Sequence, residues 1–326
     1  MNFEFRIMKI LFFAFFILQS SFFISKTFAE GTSIGIYPPI FQITATPPAN
    51  VEAPLTIVNQ ADTSLDLSIK LQPFIPSDQE NGQVEYISPK DANFKDPLIL
   101  QRVQILDPDN KPINSISLSP KQQKKLTLFI NVPKDEPASD YYFSILFLTN
   151  SQVSQSSSGS IAQSGIASNV LLSIGDNLEP KGTIQEFSGP VFVEKGPFPF
   201  TVRVKNTGQN FITPHGDILI KNLFGQTVGR VDLAQVNVLS DSVRNIPSTN
   251  YLDENQNFSE SIPAAYWNEK VLLGFYKATL TLAISDQGPI YQRDIYFIAL
   301  PIGALVITLI GIIAVIYVVL KVKEKV

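Results

Sequence analysis

The 326-residue chain carries 25 lysines and arginines against 29 aspartates and glutamates, one histidine and no cysteine. The cysteine count excludes disulfides, thiolate–zinc sites and a cysteine nucleophile, and the acidic balance argues against electrostatic capture of nucleic acid. The length is enough for two domains of ordinary size.

The chain opens with an apolar block, Ile10 to Ile24, behind Arg6 and Lys9 and closed by Thr27-Phe28-Ala29. Small residues flank the last phenylalanine there, the pattern of a cleavable signal peptide over residues 1–29. An exported chain without cysteine also favours a bacterial source.

Residues 30–176 are expected to form a first domain. Its segments are short, rich in β-branched and aromatic residues, and broken by Pro, Gly, Asn and Asp every 8–12 residues, which predicts strands. Pro38-Pro39 lies in the first strand, and proline is confined to edge strands or bulges, so this strand should lie at an edge. Leu65 to Leu71 alternates apolar and polar residues, as a strand with one buried face does. Asp107-Pro108-Asp109-Asn110 reads as a hairpin turn. Lys121 and Lys124-Lys125 form the densest basic patch, read as a charged strand edge that discourages sheet-to-sheet pairing rather than as a polymer-binding site. Ser151 to Ser164 is serine-rich and predicts a loop, followed by a closing strand, Val170 to Ile174.

Residues 177–294 are expected to form a second domain. Thr201 to Lys205 and Thr279 to Leu282 alternate as strands do. Asn222-Leu223-Phe224-Gly225-Gln226 reads as a turn between Asp217–Lys221 and Thr227–Val231. Trp267 is expected to plug the core. Two segments repeat. Leu55–Ala61 and Val202–Gly208 are each a strand ending in Asn before a tight turn. Asp140–Leu146 and Gly274–Leu280 each set a small or turn residue before an aromatic pair, where a tyrosine often fixes the corner of an immunoglobulin-like sandwich. The fold class that follows is all-β: two tandem immunoglobulin-like antiparallel sandwiches, with an N-terminal signal peptide and a C-terminal transmembrane helix.

That helix is assigned to residues 295–320. Phe297 to Leu320 is a run of 24 residues without a charge, and about 20 apolar residues span a bilayer. Lys321, Lys323 and Lys325 follow in a basic tail, residues 321–326, and lysines beside a spanning helix mark its cytoplasmic end. The expected topology is single-pass type I in the cell membrane, with residues 30–294 outside. Those residues carry 19 basic against 27 acidic groups, a net of about −8. Gly303 and Gly311 fall on one helix face and are only a weak packing signal.

Chemistry is sparse. His215, in Thr213-Pro214-His215-Gly216-Asp217, has Asp217 within reach by sequence but no Gly-x-Ser-x-Gly elbow, and reads as a plain loop histidine. Asp135-Glu136 and Asp253-Glu254 read as solvated loop ends rather than metal ligands. No catalytic, cofactor or metal residue is assigned, and no ligand-binding residue is named.

Tyr37-Pro38-Pro39-Ile40-Phe41, the strand ending in Val58-Asn59, and Val132 to Phe143 resemble the first domain of WxL-interacting bacterial surface proteins. Phe200 to Gly208 is similar to their second, adhesion-type sandwich. The resemblance implies a pilus-chaperone-like first domain and peptidoglycan binding. The reading that follows is a non-enzymatic, membrane-anchored surface protein serving peptidoglycan attachment, surface-protein scaffolding or adhesion. Its expected partners are cell wall peptidoglycan or another surface protein, with no cofactor and no nucleic acid. The alternative is a membrane-tethered assembly chaperone that binds partner strands by β-augmentation.

Overall fold

In the first sandwich one sheet runs in the order β1 (Ile34–Tyr37), β3 (Ala49–Asn59), β8 (Gln123–Val132), β6 (Val103–Leu106). The facing sheet orders β2 (Ile40–Ala45), β10 (Gly165–Ile174), β9 (Ser139–Thr149), β4 (Leu65–Pro76) and β5 (Val84–Tyr86), with β7 (Ser115–Leu118) also on β4. The computed structural model describes residues 34–91, 97–149, 164–175, 179–250 and 264–323. The N-terminal block, the Ser-rich segment up to residue 163 and the Asp253-Glu254 pair lie outside these residues.

Pro38-Pro39 does more than mark an edge. It falls between β1, paired antiparallel with β3, and β2, paired parallel with β10, so the chain changes sheets there. Both strands are sheet ends, because a proline cannot donate to a ladder. The core between the sheets is the inward set of each alternation: Leu55, Ile57, Leu128, Ile130, Phe143, Ile145, Phe147, Val170 and Leu172. The turn at Asp107 is as expected: the Asp107 N–H donates to the Lys111 carbonyl, and its carboxylate accepts from the Asp109 and Lys111 N–H groups.

The second sandwich repeats the plan. β13 (Phe198–Asn206) pairs with β11 (Gly182–Ser188), β16 (Val243–Asn245) and β17 (Ala265–Trp267). The other sheet orders β12 (Phe192–Val193), β19 (Ile290–Ala299), β18 (Gly274–Ala283), β14 (His215–Asn222) and β15 (Thr227–Asp232). Phe198, Phe200, Phe297, Trp267 and Tyr276 form one aromatic stack in its core, and Trp267 is buried as predicted.

The internal repeat is structural. Asn59 and Asn206, both fully buried, end β3 and β13. Each side-chain oxygen accepts from the N–H two residues on, at Ala61 and Gly208. Each side-chain amide donates to the carbonyl four residues on, at Thr63 and Asn210, and to a distant carbonyl, Leu118 or Val238. In the second repeat the tyrosines differ in role. Tyr276 exchanges hydrogen bonds with the Leu273 backbone, and Tyr141 donates to Glu136.

Three expectations are corrected. Residues 295–299 are not helical: β19 runs to Ala299, with Phe297 and Ala299 buried in the second core. An apolar strand end and an apolar helix had merged into one run; Pro301, whose fixed φ suits a helix start, separates them. The helix, α1, is Ile302–Lys323, 22 residues, or about 33 Å long. Glu136 is not a solvated loop end; it is buried beside Arg102 and Tyr141. His215 is the first residue of β14 rather than a loop residue.

Among the described residues no helix is long and apolar enough to cross a membrane. The only charges of α1 are Lys321 and Lys323.

Candidate functional site

The two sandwiches belong to one compact unit that begins at Ile34, and the outer face of the β2–β10–β9 sheet meets the second sandwich. At its centre Asp140 is 4% exposed. Its carboxylate accepts from the Tyr142 hydroxyl at 2.5 Å and the Ser173 hydroxyl at 2.6 Å, both from the first sandwich. It also accepts from the Asn210 amide at 2.6 Å and the Phe211 N–H at 2.5 Å, both from the second. Burial, and then the Asp140 charge, push the Tyr142 phenol well above its ordinary range. Phe74, Tyr142, Leu171 and Leu239 pack around this node.

A second, more exposed contact joins Glu80 to Arg203, whose Nε donates to the carboxylate at 2.7 Å. Glu80 first, then Glu186 at 3.2 Å, hold the Arg203 guanidinium above its usual range. Arg244 lies nearby in a cavity of about 60 Å³ lined also by Ile40, Phe74, Glu80 and Leu171. Its Nη1 donates to the Asn237 carbonyl at 2.6 Å, its Nε is buried without a partner among the described residues, and burial lowers its pKa to about 10. The cavity has room for a water or two, not for an organic ligand.

On the other flank of the seam a polar cleft of about 410 Å³ is lined by Gln42, Thr44, Ser173, Asn210, His215 and Asp286, among others. The His215 imidazole lies 3.8 Å from Asp286, whereas Asp217 faces Arg230 at 3.5 Å. The histidine and the carboxylate next to it in sequence are therefore not brought together. Among the described residues no group of three metal-capable side chains occurs. Lys121 is tied to Asp62 at 2.9 Å and to the Gln60 carbonyl at 2.8 Å, while Lys124 and Lys125 lie on β8 where β6 no longer covers it.

Beside the cleft runs β2, the end strand of its sheet. Asn169 of β10 and Gly175 just after it donate to the Pro39 and Ala45 carbonyls. Alternation along the strand then turns the backbone groups of Ile40, Gln42 and Thr44 outward, where they have no partner among the described residues. The strand sequence is IFQITA, without a charge. Charges and prolines are the usual protection of such an edge; β15 on the second sandwich has them in Arg230 and Asp232. Sequence reading found this edge through Pro38-Pro39. It missed Asp140, Glu80, Arg203 and Arg244, whose roles lie in contacts between sandwiches. The one local hint was a carboxylate set directly before an aromatic pair in an apolar strand.

No family model matches the chain, and no curated protein does. Among solved structures it is similar to the class 5 fimbriae chaperone CfaA, at 10% identity and TM-score 0.36, over 82% of this chain and 100% of that one. It is also similar to the E. coli chaperone DraB, at 10% identity and TM-score 0.35, over 81% of this chain and 98% of that one. The YadV chaperone gives 10% identity and TM-score 0.33, over 81% of this chain and 99% of that one.

Proposed function

We propose that this chain is a non-enzymatic binding protein, held at a membrane by α1, that captures an extended segment of another surface protein by adding it to β2. The observation that carries this reading is the uncharged six-residue edge, IFQITA, unpaired on its outer side among the described residues and beside a polar cleft of about 410 Å³. An added strand gains main-chain hydrogen bonds from Ile40, Gln42 and Thr44. Its alternate side chains lie over the cleft, where Asn210, His215 and Gln235 of the second sandwich reach them. Affinity then comes from backbone pairing and selectivity from the cleft. The low charge of the strand makes pairing only weakly dependent on salt. Anchoring rests on the 22-residue helix, which holds no charge before Lys321, and on the lysines at its end.

The test is Gln42→Pro. Proline at 42 removes an outward N–H while the bonds to β10 stay, and edge strands tolerate it there. Full-length protein in membranes, carrying a photo-crosslinker at Thr44, should link to a surface protein, and Gln42→Pro should abolish the link with an unchanged melting temperature. Retention on purified peptidoglycan, equal in the two forms and without any crosslink, would favour wall attachment and defeat strand capture.

A further inference from the structure

The register of the second sandwich places one set of loops beside the start of α1. Ala299, the last residue of β19, lies opposite Gly274 on one side and Val193 on the other, and Asn222 at the end of β14 lies opposite Tyr276. The β14–β15 turn, the segment before β18 and the short β12 therefore all reach the end of the sandwich from which the chain leaves. Only Leu300 and Pro301 separate Ala299 from α1. The Leu300 N–H donates to the Val193 carbonyl at 3.0 Å, so the helix start is tied to the sandwich within about 11 Å.

This end is apolar where a turn is ordinarily polar. At the β14–β15 turn Leu223 is 71% and Phe224 84% exposed; before β18, Val271 is 77% and Leu273 63% exposed. Phe192 and Phe275 are exposed beside them. The backbone that carries these side chains is held. The Asn222 side-chain oxygen accepts from the Phe224 and Gln226 N–H groups, and Gly225, at φ 78°, supplies the left-handed residue that closes the turn. The Leu273 backbone is held by the Tyr276 hydroxyl, and buried Leu272 pins the same segment to the core. Lys195 and Lys270 alternate with Glu194 and Glu269 around the rim, so charge does not define the surface. Exposed apolar patches of this kind mark a binding surface, and here an apolar helix follows two residues after β19.

We infer that this end of the second sandwich is itself a membrane-contact surface, with Phe224 and Val271 inserted into the headgroup region of the bilayer that α1 enters. The inference rests on the proposed membrane role of α1. It makes the sandwich a rigid stand on the bilayer rather than a body swinging on a tether, so the β2 edge is held at a fixed height. Because the rim carries both signs of charge, contact should not depend on anionic lipid.

The chain has no cysteine, so single cysteines can be labelled in the full-length protein. Four variants, Phe224→Cys, Val271→Cys, Asp286→Cys and Ile310→Cys, would carry an environment-sensitive fluorophore in phosphatidylcholine vesicles with and without nitroxide lipids. Labels at 224, 271 and 310 should lose most of their emission to nitroxide lipid, while the label at 286, at the opposite end of the sandwich, keeps it. Quenching at 310 alone, with 224 and 271 exposed to water, overturns the contact surface and leaves the anchor standing. Labels at 224 and 271 shielded from water but unquenched would mean that a protein covers the surface, which also overturns the inference. Emission unaffected at 310 overturns the anchor on which it rests.

Discussion

Arg244 holds a guanidinium in a poor place. Its burial costs solvation of the charge, its Nη1 donates to the Asn237 carbonyl, and its Nε has no partner among the described residues. No ion pair compensates it there, because Glu80 in the same cavity is bonded to Arg203. A pKa lowered by burial to about 10 means that the unfolded chain binds the proton more tightly. Stability then rises as the pH passes upward through about 10, and at neutral pH the charged residue works against folding. Arg244→Met keeps the packing of the stem and removes the charge. It should stabilise the protein by about 1–2 kcal/mol after the lost bond is counted, and flatten the pH dependence above 10. A lower melting temperature in denaturation experiments would contradict this.

At the scale of elements, what was legible was local. The alternation in Leu65–Leu71 and Thr201–Lys205, and the turns at Asp107 and Asn222, each follow from residues within a few positions, so sequence suffices. The paired Asn-ended strands were visible as well, and their equivalence makes a prediction. The Asn206 side chain satisfies three backbone groups inside the second sandwich. Asn206→Ala leaves them unpaired and should cost about 2–4 kcal/mol, with Asn59→Ala costing a similar amount in the first. A loss under 0.5 kcal/mol by chemical denaturation would show that water replaces the amide without penalty. Where the reading failed, two elements shared one composition. The end of β19 and the start of α1 are equally apolar, and only the alternate burial of Phe297 and Ala299, set by β18 and β12, makes the first five residues of the expected helix a strand. Glu136 failed for a related reason: its partner Arg102 is remote in sequence, and a charge pair across a fold leaves no local pattern.

For the whole molecule, the seam between the sandwiches decides whether the chain behaves as one body. It holds contacts of different kinds, among them the Glu80–Arg203 pair, the Asp140 node, the Asn245 N–H on the Glu80 carbonyl and the Ser240 N–H on the Tyr142 hydroxyl. The Glu80–Arg203 pair is about a quarter exposed on both sides, so water and salt screen it, and Glu80→Ala should cost under about 1 kcal/mol. Asp140 is buried and accepts four hydrogen bonds, two from each sandwich. Asp140→Ala strips the Phe211 N–H and the Asn210 amide of an acceptor inside an apolar seam, a loss on the order of 3–5 kcal/mol. That loss falls on the contact rather than on either core, since the aromatic stack around Phe297 and the core around Phe143 do not touch the carboxylate. Calorimetry on the parent should therefore give one unfolding transition and Asp140→Ala two, each near the melting point of a sandwich on its own. Alkaline pH should act in the same direction. The raised Tyr142 pKa means that the seam keeps its full strength below the ordinary phenol value of 10.0 and loses it as the pH rises further, so the parent too should split into two transitions there. A single transition in Asp140→Ala, unmoved from the parent, would show that the sandwiches are coupled by the apolar cluster of Phe74, Leu171 and Leu239 instead of by the carboxylate.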